Sequence, residues 1–573
     1  MERRRFIGTG LAAAATLTRA NAAAAQTPGV PWSDLQARLG ERLRVIASPF
    51  EAARRAPSSP ETAEFFRAAR NPYFLGDNPA LTQSFGWAGA WQSSPSGRVV
   101  EGHTADDVAA AIDFARRHRV RLAVKGGGHS YFGGSNAPES LLIWTRRMNA
   151  IAMTDAFVPQ GLAQSPVPAV TIGAGAIWGD IYRDVVVRGG RYVQGGGCMT
   201  VGVAGLIQSG GFGSFSKKFG IAAASLLEAE IVAADGKVRI VNEARDPELF
   251  FALRGGGGGS FGVVTKLTLR THDLPATFGA VFARIDAKSD TAYAELLERF
   301  VAFYADTLFN PVWGEQIVVR PGNALSISMV FQGIERDEAA ALWRPFFDWV
   351  RARPADFALA GEPAILAVPA RKFWDAAFLR TLPGIVLQDD QPGAPEDRIF
   401  WASNREESGQ FLHAYRSAWL PAATLEQPRQ ADLARALFDA SRHWNVSLHM
   451  NKGLAGAPDA VRAQAAQTAI NPAVNTAFAL AICGAAGPPA YPGIAGHEPD
   501  LARARANADK VAAAMQALET RVPSTGTYLA ESDYFDANWR SGYWGGANAA
   551  RLEAIKRHYD PDNLFRVHHG IGA

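Results

Sequence analysis

One short glycine turn constrains this chain more than any other stretch. Residues 125–131 read Lys-Gly-Gly-Gly-His-Ser-Tyr and directly follow a strand-like apolar run at 120–124. Glycine allows positive φ and a close approach of the backbone to a ligand, and successive N–H groups in such a turn can form an anion-binding nest. With Lys125 beside the nest and His129 at its end, the stretch fits a phosphate-bearing cofactor whose reactive end lies against the imidazole.

A second glycine platform, at residues 195–202, presents Cys198 much as the first presents His129. We expect the neighbouring N–H groups to stabilise the thiolate, which is the reactive form of cysteine. The chain has two cysteines, so a disulfide is an alternative in an exported protein. Cys483, however, follows the apolar run 477–482, which is typical of a buried strand and favours a core position. Cysteine and histidine spacings suit no zinc site, and we predict no metal.

Length and charge narrow the functional class. The 573 residues leave room for a large core and two domains, and the formal net charge of +3 is spread too thinly to indicate a nucleic-acid partner. Twin arginines within residues 3–5 precede an alanine-rich apolar run. They predict a twin-arginine export signal over 1–25 and a periplasmic or secreted protein, although a merely basic N-terminus is an alternative. The run is too short for a membrane anchor, and we expect no anchor elsewhere.

The order of elements predicts an α+β protein. A strand at 98–102, a helix that begins after Thr104 and a strand at 120–124 form a βαβ unit leading into the first glycine turn. The stretch 173–178 lacks the third glycine of a dinucleotide fingerprint, and the glycine run at 255–259 has no following Lys-Ser or Lys-Thr. These patterns argue against a nicotinamide site and a P-loop.

After residue 275 strands alternate with long helices, which predicts an antiparallel sheet covered by helices on one side. Period-2 alternation over 445–452 predicts one polar strand face that either meets substrate or is the solvent-facing side of the strand. The predicted divisions, in chain order, are the signal peptide 1–25, an N-terminal helical wrap 26–90, a cofactor domain 91–275, a substrate domain 276–525 and a C-terminal segment 526–573.

Four blocks in this order resemble one family. They are 125–135 (KGGGHSYFGGS), 197–213 (GCMTVGVAGLIQSGGFG), 249–265 (LFFALRGGGGGSFGVVT) and the tail 528–565. Together they are similar to the berberine-bridge-enzyme-like oxidases of the vanillyl-alcohol oxidase / p-cresol methylhydroxylase (VAO/PCMH) superfamily. The resemblance implies a two-subdomain PCMH-type FAD-binding domain and a substrate domain with an antiparallel sheet covered by helices. It also implies a C-terminal segment that returns to the FAD domain.

The same resemblance implies FAD held by two covalent bonds, from His129 to the 8α-methyl group and from Cys198 to C6. Val201 matches a position that governs dioxygen access in relatives, and valine there accompanies oxidase behaviour. The cofactor-binding residues that it carries over are Lys125, Gly126, Gly127, Gly128, His129, Ser130, Gly197, Cys198, Thr200, Val201, Gly202, Gly205, Gly210, Gly211, Val264 and Asn548.

Glu531 matches the catalytic base of the family, and Tyr131 matches a tyrosine that faces substrate. If apolar side chains cover Glu531, we expect its carboxyl group to have a raised pKa that suits it to take a proton from substrate. The alternative is that Glu531 is an ordinary surface acid. Ala530 replaces the usual asparagine, and Leu206 stands where relatives often have histidine. These departures leave the local hydrogen bonding and the stabilisation near the flavin C2 carbonyl open.

The predicted function is that of an exported FAD-dependent oxidase. It would take a hydride from an alcohol, amine or activated C–H substrate of sugar or aromatic type and reduce O2 to H2O2. One alternative is a flavin dehydrogenase that uses a quinone or cytochrome acceptor. A second alternative, from another class, is a flavin-bearing protein that binds a ligand without turnover.

Overall fold

The computed structural model describes residues 29–573, so the predicted signal at 1–25 lies outside the described residues. The strands, in chain order, are β1 (Leu43–Val45), β2 (Ser84–Trp87), β3 (Trp91–Gln92), β4 (Arg98–Glu101), β5 (Arg121–Lys125), β6 (Ser140–Trp144), β7 (Ile151–Phe157), β8 (Val167–Gly173), β9 (Arg191–Tyr192), β10 (Leu226–Val232), β11 (Val238–Val241), β12 (Val263–Arg270), β13 (His272–Asp273), β14 (Thr277–Ala287), β15 (Trp313–Arg320), β16 (Ala324–Gln332), β17 (Phe357–Leu359), β18 (Ala364–Pro369), β19 (Val386–Gln388), β20 (Ile399–Trp401), β21 (Gln410–Pro421), β22 (Val446–His449) and β23 (Ala477–Gly487).

The α-helices, in chain order, are α1 (Trp32–Leu39), α2 (Pro49–Arg55), α3 (Pro60–Ala68), α4 (Pro72–Gly76), α5 (Ala105–His118), α6 (Trp178–Tyr182), α7 (Val203–Gln208), α8 (Ser216–Phe219), α9 (Pro247–Leu253), α10 (Asp290–Phe303), α11 (Arg336–Arg351), α12 (Ala376–Leu379), α13 (Asn404–Glu407), α14 (Arg429–Ser441), α15 (Asp459–Ala465), α16 (Leu501–Arg521) and α17 (Trp539–Tyr559). Between residues 29 and 573, no helix combines the length and the apolar character needed to cross a membrane.

The first sheet delivers the glycine turn. Its strands lie in the order β1-β4-β6-β5, with β4, β6 and β5 parallel and β1 antiparallel to β4. Thr104 begins α5 with a capping box, in which its hydroxyl accepts the N–H of Asp107 and the Asp107 carboxylate accepts the N–H of Thr104. The predicted βαβ unit is therefore present, with β6 inserted between its two strands. Because β5 ends at Lys125, the turn follows at the carboxyl edge of the parallel strands.

An antiparallel sheet with the order β11-β10-β12-β8-β7 forms the second subdomain. Ile172, Ile231 and Leu267 on its inner side are fully buried and share one apolar core with α6 and α9. The helix expected after residue 176 begins as α6 and continues as a π-helical segment at Arg183–Arg188. The two small sheets together give the expected two-subdomain architecture.

A large sheet forms the second domain, with the order β17-β14-β16-β15-β22-β23-β21-β2-β3 and with β18 paired to β14. Neighbouring strands are antiparallel, except that β2 and β21 are parallel. Because β2 lies at Ser84–Trp87, part of the predicted N-terminal wrap 26–90 is a strand of this sheet and not helix. β2 pairs with β21, which lies more than three hundred residues later in the chain. Because the strand depends on this distant partner, the local sequence did not predict it.

One face of the large sheet is covered by α10, α11, α14 and α16. Ala481 and Cys483 of β23 belong to the core on that face, whereas Leu480 and Ile482 pack on the opposite face with Phe212. This alternation confirms the predicted antiparallel sheet with helices on one side. It also lays the other face against the second glycine segment.

The C-terminal segment returns to the first domain. In α17 the indole N–H of Trp544 donates to the Gly255 carbonyl at 2.9 Å. The buried ammonium of Lys556 donates to the carbonyls of Ser260 and Phe565, both at 2.6 Å. The α+β architecture, including the returning tail, is therefore confirmed.

Candidate active site

The two glycine turns recognised in the sequence pack directly against each other. A Cβ atom added to Gly127 would lie 2.8 Å from the Gly202 nitrogen and 2.9 Å from the Thr200 carbonyl oxygen. A Cβ added to Gly202 would in turn lie 2.8 Å from the Gly127 nitrogen. Only glycine permits this backbone-to-backbone contact. It brings His129 and Cys198 into one site.

Gly197 of the second turn and Gly205 of the following helix α7 border open space. A Cβ at Gly197 or at Gly205 would meet no atom within 4 Å. Gly128 has a φ of +79°, and the Ser130 hydroxyl accepts the N–H of Phe132 at 3.3 Å, which closes the first turn. A surface of bare backbone with free space beside it suits a flat ring and a pyrophosphate, so the residues present fit FAD.

The remaining predicted glycines lie in the same two segments. Gly126 follows the end of β5, and a Cβ there would lie 3.6 Å from the carbonyl oxygen of Ala174 in the second subdomain. The carbonyl of Gly210 accepts the backbone N–H of Ala223, and that of Gly211 accepts the backbone N–H of Ala222, both at 2.8 Å. The turns are thus held by both subdomains.

His129 is held as a neutral imidazole. Its Nε2 lies 3.1 Å from the Thr200 hydroxyl. Burial lowers the pKa of the imidazole to about 4, with the hydrogen bond at Thr200 opposing the shift. A neutral imidazole keeps an unprotonated ring nitrogen, which is the form able to act as a nucleophile.

Cys198 has surroundings that differ from the sequence expectation. Burial first, and then the charge of Glu407, raise the pKa of the thiol to about 12. The side-chain amide of Asn404 donates to Sγ at 3.5 Å, and the indole of Trp401 donates to the Gly197 carbonyl at 2.8 Å. These surroundings favour the protonated thiol over the expected thiolate. Neighbouring N–H groups do not outweigh burial and a nearby carboxylate.

The carboxylate of Glu531 forms an ion pair with Lys452, and the Ser417 hydroxyl donates to the Glu531 backbone carbonyl. The Lys452 and Glu531 side chains are 10% and 23% exposed, so the pair is largely enclosed. The apolar roof expected over Glu531 is replaced by this cation. Glu531 is thereby a paired site carboxylate and differs from an ordinary surface acid.

Tyr131 lies on the same side of the site, with its ring centroid 5.2 Å from that of Tyr415. Burial raises the pKa of the Tyr131 hydroxyl well above its usual value, and the charges of Glu407 and Glu531 add to the shift. Tyr131 therefore stays protonated at neutral pH and serves as a hydrogen-bond donor.

Two further carboxylates were missed by the sequence analysis. Glu315 of β15 accepts a hydrogen bond from Ser214, and burial raises the pKa of its carboxyl group. Glu407 of α13 accepts from Asn404 at 3.1 Å, and although its side chain is exposed, the desolvation imposed by the surrounding protein raises the pKa of its carboxyl group. Glu407 sits in an Arg-Glu-Glu run that reads as a solvated helix face, so no local signal distinguishes it.

Three predicted cofactor residues contact protein groups. The buried ammonium of Lys125 donates to the Asn78 and Leu81 carbonyls at 2.7 and 2.6 Å, and burial lowers its pKa to about 7. The ammonium group that we expected beside the anion-binding nest therefore binds two carbonyls of the N-terminal segment. Val264 is 3% exposed in the core of the second subdomain. Asn548 donates to the carbonyls of residues 469 and 470 at 3.3 and 3.0 Å. A cofactor-binding role for Val264 and Asn548 stays a prediction.

The positions that depart from the family pattern are occupied by apolar side chains. Leu206 fills the space between Gly196 and Gly211, where added Cβ atoms would lie 2.5 and 2.4 Å from its methyl carbons. Ala530 packs against the apolar cluster around Tyr528. Val201, the predicted oxygen-access position, is partly buried against the second-subdomain core. These residues add no hydrogen-bonding side chain to the site.

The polar face predicted for β22 is present over a short stretch. Val446 and Leu448 are buried in the helix-side core, whereas Ser447 and His449 lie on the other face with their side chains 3.2 Å apart. The strand ends at His449, and Lys452 follows in a short 3₁₀ turn that brings it to Glu531.

Comparisons with known proteins agree with this geometry. Residues 96–242 match the family model of an FAD binding domain, and residues 519–572 match that of berberine and berberine-like proteins. A VAO-type flavoprotein oxidase of Thermothelomyces thermophilus is 29% identical over 481 residues, which cover 83% of this chain and 76% of the relative.

Solved structures share the fold. A VAO-type flavoprotein from Myceliophthora thermophila C1 superposes with a TM-score of 0.75 at 24% identity, covering 97% of this chain and 96% of the other. The glucooligosaccharide oxidase of Acremonium strictum, described with a 6-S-cysteinyl, 8α-N1-histidyl FAD, has a TM-score of 0.62 at 18% identity, covering 83% and 92%. With the glycine cradle and both matched segments in place, this chain has an FAD binding domain and a berberine-like C-terminal segment, and it is an FAD-dependent oxidoreductase similar to the VAO-type flavoprotein oxidases.

Proposed function

We propose that this chain is an exported oxidase that binds FAD covalently through both His129 and Cys198. The observation that carries the proposal is the backbone contact between the glycine turns that hold these two residues, with the imidazole of His129 against Thr200 and the sulfur of Cys198 close to the charges of Glu531 and Lys452. The doubly linked FAD described for the Acremonium strictum relative supports the same pair of attachments.

When bound, FAD supplies the acceptor for a hydride and passes the electrons on, and we propose dioxygen as their destination. Glu531 takes the accompanying proton from a hydroxyl or amine of the substrate. Lys452 holds the Glu531 carboxylate in place through their ion pair. The protonated hydroxyl of Tyr131 donates a hydrogen bond that orients the substrate. Val201 supports dioxygen as the acceptor.

The lining supports a sugar-like or aromatic substrate carrying an alcohol, amine or activated C–H group. Tyr131 and Tyr415 offer aromatic surface, and Glu315 and Glu407 add acceptors for hydroxyl groups. Aromatic rings beside carboxylates bind polyhydroxylated rings through stacking and hydrogen bonds. The same groups also suit a phenolic substrate.

Peptide mapping of the purified protein after acid precipitation tests the cofactor assignment. We expect yellow colour in the pellet and flavin mass on peptides that contain His129 and Cys198. Absence of flavin from both peptides would overturn the covalent assignment. A screen of sugars, aromatic alcohols and amines, followed by bleaching of the flavin absorbance without oxygen, then identifies the substrate class.

Admitting air after bleaching tests the acceptor. We expect reoxidation within seconds and one H2O2 per turnover, whereas slow reoxidation that a quinone accelerates would support the dehydrogenase instead. Failure of every screened compound to bleach the flavin, although ligands still perturb its spectrum, would support the non-catalytic binding protein.

Fractionation of a bacterial host tests export. The cellular location of the wild-type protein is compared with that of a variant in which Arg4 and Arg5 are replaced by lysine.

A further inference from the structure

The helix α13 of the second domain is attached to the cysteine platform of the first. The indole of Trp401, which precedes the helix, donates to the Gly197 carbonyl at 2.8 Å, and Asn404 donates to the Cys198 sulfur at 3.5 Å. The Ser408 hydroxyl donates back to the Asn404 carbonyl at 2.9 Å, which closes the end of the helix. None of these three side chains was needed to explain FAD binding or substrate oxidation.

Asn404 joins the sulfur to a carboxylate. Its side-chain nitrogen lies 3.5 Å from Sγ of Cys198 and 3.1 Å from a carboxylate oxygen of Glu407. Residues 404 and 407 are one helical turn apart, so both side chains project from the same face of α13. Although Glu407 influences the thiol, its side chain remains accessible to solvent. A proton that it accepts can therefore leave.

We propose that Glu407 accepts the thiol proton of Cys198 when the sulfur becomes bonded to FAD, and that Asn404 is the positioning residue that holds the sulfur and the carboxylate together. The inference rests on the proposed double attachment of FAD. It concerns a residue for cofactor attachment that lies outside both glycine turns.

The attachment balances with dioxygen as the oxidant. The S–H bond of Cys198 and the C6–H bond of the flavin ring break, and one S–C6 bond forms. The two hydrogens leave as protons and their two electrons reduce O2, giving one H2O2. Glu407 takes the first of these protons and releases it to solvent.

Charge explains why a carboxylate suits this place. While the sulfur carries its proton, Glu407 is the anion, and after transfer the sulfur is the anion and Glu407 is neutral. The two groups therefore never carry negative charge at the same time, so that like-charge repulsion between them is avoided. The other titratable groups that act on the thiol are Glu531 and Lys452, while Tyr131, Tyr182 and Tyr415 stay protonated.

Peptide mapping of the full-length variant Glu407→Gln tests the proposal. We expect flavin on the His129 peptide at wild-type occupancy and on the Cys198 peptide at one-tenth of it or less, with the free thiol detected by alkylation after denaturation. Asn404→Ala should show the same selective loss. The matched control is Glu406→Gln, because Glu406 is on the same helix and pairs with Arg70 at the surface, where its side chain is 78% exposed. Both attachments should be complete in that control.

A pH series separates proton transfer from simple support of the helix. Purified Glu407→Gln protein is held in aerated buffer at pH 7, 8 and 9, and attachment at Cys198 is followed by mass. Without the carboxylate the rate should rise about tenfold per pH unit, as the thiolate fraction does below the pKa of a thiol. Complete Cys198 attachment in Glu407→Gln at pH 7, or a loss of attachment that higher pH does not restore, would overturn the role of Glu407.

Loss of flavin from both peptides in Glu407→Gln would also overturn the proposal, because it would show a general structural role. The wild-type protein distinguishes this failure from that of the proposed function. If the wild type itself carries no flavin on Cys198, the double attachment is wrong and the inference falls with it. If the wild type carries both links and only the variant results disagree, the proposed double attachment is retained and the role of Glu407 is wrong.

Discussion

Replacement of Glu531 by glutamine tests its proposed role as the proton acceptor. Glutamine keeps the size of the side chain, and the backbone contact from Ser417 is unaffected. Loss of a general base slows the chemical step by about 10²–10⁴-fold, which is about 3–5 kcal/mol in activation free energy. The variant also leaves Lys452 without its carboxylate. The Lys452 and Glu531 side chains are 10% and 23% exposed. The free energy of unfolding should therefore fall by about 2 kcal/mol, which lies between the losses typical of surface ion pairs and of buried ones.

The assay is the rate of flavin bleaching without oxygen at saturating substrate, together with a thermal melting curve. Asp533→Asn is the control, because Asp533 lies two residues away and pairs with Arg416 at 3.0 Å outside the Glu531–Lys452 pair. Its bleaching rate should remain within about twofold of the wild type. A Glu531→Gln rate within about threefold of the wild type would refute the base assignment, and an equal loss in both variants would show that general negative charge matters instead.

Three other variants test parts of the structure. Lys217→Met should lower the free energy of unfolding by about 3 kcal/mol or more, measured by denaturant titration, because it leaves three buried backbone carbonyls without their donor; the exposed Lys218→Met should have no effect. Burial lowers the pKa of His272 to about 4, so the unfolded chain binds more protons between pH 6.5 and 4 and stability falls as pH decreases through this window. His272→Phe should remove up to about 3 kcal/mol of that loss in melting curves at pH 4 and 7, whereas the exposed His443→Phe should not. Gly205→Leu should keep the melting temperature of flavin-free protein but lower flavin content at least tenfold, since its side chain would enter open space that we assign to the cofactor; normal flavin content would contradict that assignment.

The sequence predicted the parts of the site that depend on local backbone chemistry. The turns at Gly127 and Gly202 could be recognised because a close backbone contact excludes every other residue type, and that requirement is visible as glycine. The capping box at Thr104 and the alternation around Cys483 are equally local. The fold class followed from the order of such signals.

The sequence did not predict the groups that tertiary packing alone brings to the site. Asn404 contacts a cysteine more than two hundred residues earlier, and Glu407 is hydrogen-bonded to Asn404, both on a short helix with an ordinary surface composition. The direction of the Lys125 ammonium was also unreadable, because either a bound anion or two backbone carbonyls can satisfy it. The protonation of the Cys198 thiol was not predictable from the local sequence either, because burial and the charge of Glu407 affect its pKa more than the adjacent glycines do.

The two residues that we propose as attachment points for FAD depend on different parts of the fold. His129 is oriented by Thr200, and both belong to the first domain. Cys198 is oriented by Asn404, which belongs to the second domain, and its platform is held there by Trp401. A first domain that has folded before the second is docked therefore already holds the imidazole in place, but it lacks the amide and the carboxylate beside the sulfur. Attachment at His129 should consequently precede attachment at Cys198, because only the docked second domain completes the surroundings of the thiol.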